Sequence, residues 1–145
     1  MQYINWKEIH ERIPGTFACS PADPKVVTQH LRAAGFRLVK TLDCAGVQNR
    51  DDLWSQCSDL FVFPNYFHMN WDSFSDCLRE SAIAIDPNAA ALLTNFGHLS
   101  SCLEQSDIRH FVSIVNTMHK IDAGASGYEA VQCLVLLFGT NSGIS

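Results

Sequence analysis

The 145-residue chain is 47% hydrophobic with a formal net charge of −5, which is enough apolar mass for one globular domain with its own core. Seven carboxylates between Asp51 and Asp86 stand against a single base, Arg79, so that segment carries −6 and the remainder +1. Such an acidic stretch argues against direct nucleic-acid binding, which needs Lys and Arg to displace counterions, and favours a basic protein partner.

The six cysteines (19, 44, 57, 77, 102 and 133) show no C-x-x-C pair and no Cys/His ligand spacing. Several fall at apolar positions, where a free thiol behaves as a small hydrophobe. No signal peptide or membrane-length apolar run is present, and a reducing cytoplasm is the expectation.

In chain order, Trp6 to Ile13 fits a short helix ended by Pro14-Gly15. The turn SPADP leads into a helix through a proline start, with Val27, Leu31 and Ala34 as its apolar stripe and Gly35 as its terminator. Phe36 to Leu42 is a strand rich in branched and aromatic residues. A turn around Gly46 follows, and Asp51 to Leu60 forms a helix burying Leu53, Trp54, Cys57 and Leu60.

Past the stretch that follows, Asp86-Pro87-Asn88 turns the chain into a strand at Ala89–Thr94. Asn95 to His98 reads as loop and Leu99 to Leu103 as a short helix. Asp107 stands as the N-cap of a longer helix with Ile108, Phe111, Val112, Val115 and Met118 on one face. AGASG (123–127) ends it, and VQCLVLLF (131–138) has the continuous apolarity of a strand covered on both sides. Three strands joined by helical crossovers imply a small parallel sheet packed by helices.

Phe61 to Glu80, FVFPNYFHMNWDSFSDCLRE, is the segment the rest frames. Pro64 stops an apolar run, a short aromatic loop follows, and Asn70 caps a helix. Trp71, Phe74 and Leu78 recur at helical spacing and form its buried stripe. The opposite face presents Asp72, Ser75, Asp76 and Arg79. Carboxylates four residues apart repel by a few tenths of a kcal/mol, roughly. A solvated polar face is the plainer reading of any such pair, and the acidic surroundings are what favour a functional one.

LDCAG (42–46), DDLW (51–54) and FPNYFHMNWDSFSDCL (63–78) together resemble the barstar family of cytoplasmic inhibitors of secreted bacterial ribonucleases. The resemblance implies an α/β fold with a three-stranded parallel sheet from Phe36 to the end, and residues 1–35 as an N-terminal helical extension outside it. In that family the loop and helix plug the nuclease active site. Carried over by position, Tyr66 is the aromatic that packs on the nuclease, Asn70 and Asp72 lie in or beside the binding loop, and Asp76 takes the place of a substrate phosphate. Arg and Lys bind carboxylate as they bind phosphate, which suits that role. His68 stands where the family usually has glycine, and Ser75 replaces a tryptophan. Thr117 or a neighbour falls where the family has an acidic contact. These departures point to a basic nuclease toxin other than the family's best-known target.

The expected partner-binding set is therefore Tyr66, His68, Asn70, Asp72, Ser75, Asp76 and Arg79. The expected activity is inhibition of a nuclease toxin, a ribonuclease in the first instance, by a chain monomeric when free, without membrane or cofactor. No catalytic residues are expected: there is no G-x-S-x-G, no paired Cys and His, and no phosphate loop. A protein-binding module for a non-toxin partner is the alternative. Mg²⁺ chemistry at Asp72 and Asp76 is a third reading with less support. Trp54 and Trp71 read as core residues, His68 as a hydrogen-bonded loop residue, and His98, His110 and His119 as structural or surface residues.

Overall fold

The computed structural model describes residues 15–19, 23–119 and 133–139. The expectations at 6–13, at 123–127 and in the C-terminal tail lie outside those residues. Among the described residues, the elements run β1 (Gly15–Cys19), α1 (Pro24–Ala33), β2 (Leu38–Asp43), α2 (Arg50–Phe61), α3 (Trp71–Glu80), β3 (Ala89–Thr94), α4 (Gln105–His119) and β4 (Leu134–Phe138). Short 3-10 segments, Cys44–Gly46 and Phe96–Ser101, follow β2 and β3.

The sheet is parallel throughout, in the order β1-β4-β3-β2. It has four strands rather than the expected three. The added strand is GTFAC, which pairs Gly15 with Leu134 and continues in register to Cys19 against Phe138. Five residues are too few to show a clear alternation, and the partner strand lies at the far end of the chain. The N-terminal segment consequently contributes an edge strand as well as a helix.

Central β3 and β4 are covered on both faces, which is why both are almost uninterruptedly apolar. Alternation sends Ala89, Ala91, Leu93, Val135 and Leu137 to one side, where they pack with residues of α2, α3 and α4. Ala90, Leu92, Leu134 and Leu136 face the other side, where Val27 and Leu31 of α1 cover them with Phe36 and Cys19. Helix α1 is set by local chemistry. The Asp23 carboxylate accepts the Lys25 N–H at 2.9 Å, Pro24 occupies the first turn, and Gly35 ends the helix at φ 101°.

Several boundaries differ from expectation: β2 starts at Leu38 rather than Phe36, and Cys133 lies just outside β4, which starts at Leu134. The helix expected at Leu99–Leu103 begins instead as a 3-10 turn at Phe96. Gly97 there approaches the Gly139 carbonyl so closely that a Cβ would lie 2.5 Å from the oxygen. Asp107 is not the N-cap of α4, which starts at Gln105. Its carboxylate turns inward to α2 and α3 instead.

All six cysteines are free thiols, five of them buried. Burial pushes the Cys44 and Cys133 thiols up to about 12 and Cys19 up to about 11, so they serve as core hydrophobes.

Candidate functional site

Helix α3 is locked into the core on one side and open on the other. Phe74, Cys77 and Leu78 are buried, and Trp71 is half-buried. Phe74 contacts Phe63 edge-on at 5.3 Å and Phe111 of α4 at 5.9 Å, while Trp71 meets Trp54 of α2 edge-on at 5.3 Å. Trp54 is a core residue, as its spacing implied, whereas Trp71 is only partly buried and packs against the edge of the core. Asp72 and Asp76 stand exposed one turn apart on the outer face, flanked by half-buried Ser75 and Arg79.

The loop ahead of the helix is held by short-range chemistry. Asn70 is the N-cap: its side-chain oxygen accepts the Ser73 N–H at 2.7 Å. The Ser73 hydroxyl in turn accepts the backbone N–H of His68 at 2.9 Å, a variation on the capping box. Helix α2 begins with a related device. Asn49 accepts the Asp52 N–H at 2.9 Å, and the Asp52 carboxylate accepts the Gln48 N–H at 3.0 Å. At the other end of the loop, the buried Ser81 hydroxyl donates to the Phe61 carbonyl at 2.5 Å and accepts the Ala84 N–H at 3.0 Å. The ends of α2 and α3 are thereby tied together beneath the loop.

The two adjacent aromatic residues divide, one in and one out. Phe67 turns in, with its ring 5.1 Å from that of Phe63, and Tyr66 turns out, 48% exposed. The Tyr66 hydroxyl donates a hydrogen bond to the carboxylate of Glu80, the last residue of α3. His68 is exposed and its backbone, not its ring, carries the contact to Ser73. His98 and His110 lie on the surface.

A further network braces the first turn of α3 from behind. The Trp71 Nε1–H donates to the Asp107 carboxylate at 3.1 Å, and Arg50 stands 3.8 Å from the same oxygen. The Arg50 guanidinium also lies over the Trp54 ring, 4.6 Å from its centre. Side chains from α2, α3 and α4 thus meet at one buried carboxylate.

The structure gathers Tyr66, His68, Asn70, Asp72, Ser75, Asp76 and Arg79 on one loop and one helix. Thr117 lies on the exposed side of a different helix, α4. Sequence reasoning missed Ser73, Glu80 and Asp107, which hold the loop and helix in place. Ser73 had a readable signal in its position three residues after the cap. Tyr66–Glu80 and Trp71–Asp107 had none, because their partners are brought together only by packing.

Among the described residues, no group of three or more His, Cys, Asp or Glu side chains could hold a metal ion. No described helix is long and apolar enough to cross a membrane. A groove of about 370 Å³ runs along edge strand β2 beside Gln56, Asp59 and Leu60 of α2, away from the α3 carboxylates.

A family model described as Barstar (barnase inhibitor) matches residues 37–134. A search of curated proteins returns no match.

Proposed function

The chain belongs to the barstar family, and on that premise we propose that it is an immunity protein that blocks the basic active site of a bacterial nuclease toxin. The observation that carries the reading is the pair Asp72 and Asp76, exposed on a helix whose opposite face is fixed in the core, within a segment of charge −6.

In this reading Asp76 takes the place of a substrate phosphate and meets the nuclease's Arg and Lys side chains through charge-assisted hydrogen bonds. Asp72 lies one turn nearer the loop, and the partner's cations relieve the repulsion between the two carboxylates. Tyr66 packs on the nuclease surface while its hydroxyl is held by Glu80. Asn70 and His68 present the loop edge. Ser75 and Arg79 border the carboxylates and set which cleft fits. The small Ser75 side chain and the non-glycine at 68 favour a toxin other than barnase. Blocking is by occlusion and takes place in the cytoplasm of the producing cell.

The rigid mounting favours affinity, because little loop or rotamer entropy is lost on docking. The acidic field raises the association rate, which falls with added salt as screening shortens its reach.

The test is calorimetry with catalytically inactivated nucleases: barnase, and the toxin encoded beside this chain. Asp76→Ala is expected to weaken binding to the true partner by about 2–5 kcal/mol, as loss of one member of a desolvated charge pair does. Unchanged affinity would remove Asp76 from the role. Co-expression supplies the cellular arm: a chain that rescues cells from no nuclease toxin encoded beside it is not an immunity protein. Mg²⁺-dependent turnover abolished by Asp72→Ala would replace inhibition with hydrolysis.

A further inference from the structure

Val62 holds an unusual backbone. It ends α2 in the left-handed region, at φ 52° and ψ 61°. The Phe63 N–H closes back on the Ser58 carbonyl at 2.9 Å in the pattern of a Schellman ending. That position ordinarily takes glycine, or asparagine, and a β-branched residue there is a genuine outlier. Gly35 and Gly139 take up positive φ elsewhere in this chain, as does Asn95. Only at Val62 does a branched apolar residue do so among the described residues.

Packing does not account for the choice. The Val62 side chain is 59% exposed, so its isopropyl group contributes little to the core. Five large apolar side chains are well exposed among the described residues, and three of them, Val62, Tyr66 and Met69, lie on this one loop. Phe63 and Phe67 turn inward between them. The loop therefore divides its apolar residues into an inner pair that anchors it and an outer set that meets no core. Strained backbone and unburied apolar surface on one segment, next to the exposed acids of α3, are features found where a chain meets a ligand.

We infer that Val62 and Met69 form an apolar rim to the acidic docking face, and that the nuclease carries a matching apolar shelf beside its cationic cleft. This rests on the proposed inhibition of a basic nuclease. It adds two contacts that lie outside the charged and aromatic set. Charge complementarity names the occupant: the loop runs directly into α3 with its exposed Asp72 and Asp76, so the surface that covers it must also bring positive charge. Methionine is enriched at protein–protein interfaces relative to the rest of the surface, and contacts around a central charged pair serve to exclude water from it.

The experiment compares wild type, Val62→Asn, Val62→Gly, Met69→Ser and Asp76→Ala by thermal unfolding and by calorimetry against inactivated barnase and the inactivated neighbouring toxin. Both Val62 variants suit the left-handed backbone, so both are expected to melt higher than wild type while binding about tenfold more weakly, the loss that follows from leaving a valine side chain unburied. Val62→Asn keeps a Cβ and so separates loss of contact from a loosened loop. Met69→Ser is expected to weaken binding without changing the melting point.

If Val62→Asn and Met69→Ser bind as wild type does while Asp76→Ala fails, the rim is wrong and the inhibitory reading stands. If the first two weaken binding and Asp76→Ala does not, the rim stands and the phosphate-mimic role falls. Lower melting for both Val62 variants removes the strain argument and overturns the inference. A wild-type dimer in sedimentation that Val62→Asn dissolves assigns the rim to a second copy and overturns it as well. Wild type binding neither nuclease overturns both.

Discussion

Asp43 shows how one side chain can serve several segments. Its carboxylate accepts the Asn95 side-chain N–H and the Ala45 backbone N–H, each at 2.9 Å, tying the ends of β2 and β3 together. The Asn95 bond and then the Ala45 bond hold the carboxyl below its ordinary value. A depressed folded-state pKa stabilises the fold above the unfolded value, near pH 4, and that stabilisation is lost as pH falls through the folded value. Acidification from pH 6 to pH 3 is therefore expected to narrow the stability gap between wild type and Asp43→Ala, read by chemical denaturation. Because Asp43 is exposed, the gap should stay below about 1 kcal/mol. Asn70 was legible from sequence because a cap acts on neighbours two or three residues away, whereas Asn49 and Asp43, which cap by the same short-range chemistry, were read only as part of a turn. Val62 was not legible. No local rule places a branched residue in the left-handed region, and the Ser58 and Ser81 contacts that hold the turn act from outside the loop.

At the scale of the element, the periodicity of α3 already told which face is buried, since Trp71, Phe74 and Leu78 fall on one stripe. It left open how firmly the helix is mounted. Asp107 decides that, from 36 positions away in sequence. Asp107→Ala removes the acceptor of a half-buried indole N–H and the counter-charge of Arg50. A loss of about 1–3 kcal/mol is expected in urea unfolding, with a red shift in tryptophan emission as the first turn of α3 loosens. Asp107→Asn retains an acceptor oxygen for Trp71 and should recover most of the loss. An equal loss in both variants would show that the Arg50 charge, not the indole bond, is what matters. The reading of Asp107 as a cap failed for a specific reason. Asp ahead of an apolar helical stripe suits both an N-cap and a first-turn residue, and the choice between them was made by packing against Trp71.

For the whole molecule, the sheet separates two apolar layers of unequal origin. The α2–α3–α4 layer carries the candidate site, and the other layer depends on α1 and β1 from the N-terminal segment. A chain beginning at Phe36 would bare Ala90, Leu92, Leu134 and Leu136 and free the edge of β4. Aggregation or loss of cooperative unfolding is the expected result. Leu31→Ala tests the same point in the full chain, where truncating a fully buried leucine is expected to cost about 2–5 kcal/mol. If the shortened chain unfolds cooperatively at wild-type stability, residues 1–35 are a dispensable flank.

The amino-acid sequence by itself determined the four long helices and their inward faces, the Asn70 cap, the two central strands and the acidity of the central segment. Each follows from spacing, turn chemistry or composition within a few residues. Tertiary structure decided that GTFAC is a strand, that Asp107 braces α3, and that Tyr66 is held by Glu80. Those three depend on partners that the chain brings close only when it folds. The exposed pair Asp72 and Asp76 belongs to both levels. Helical spacing set the carboxylates side by side, and the core behind Trp71 and Phe74 holds them outward, where a cationic partner can meet them.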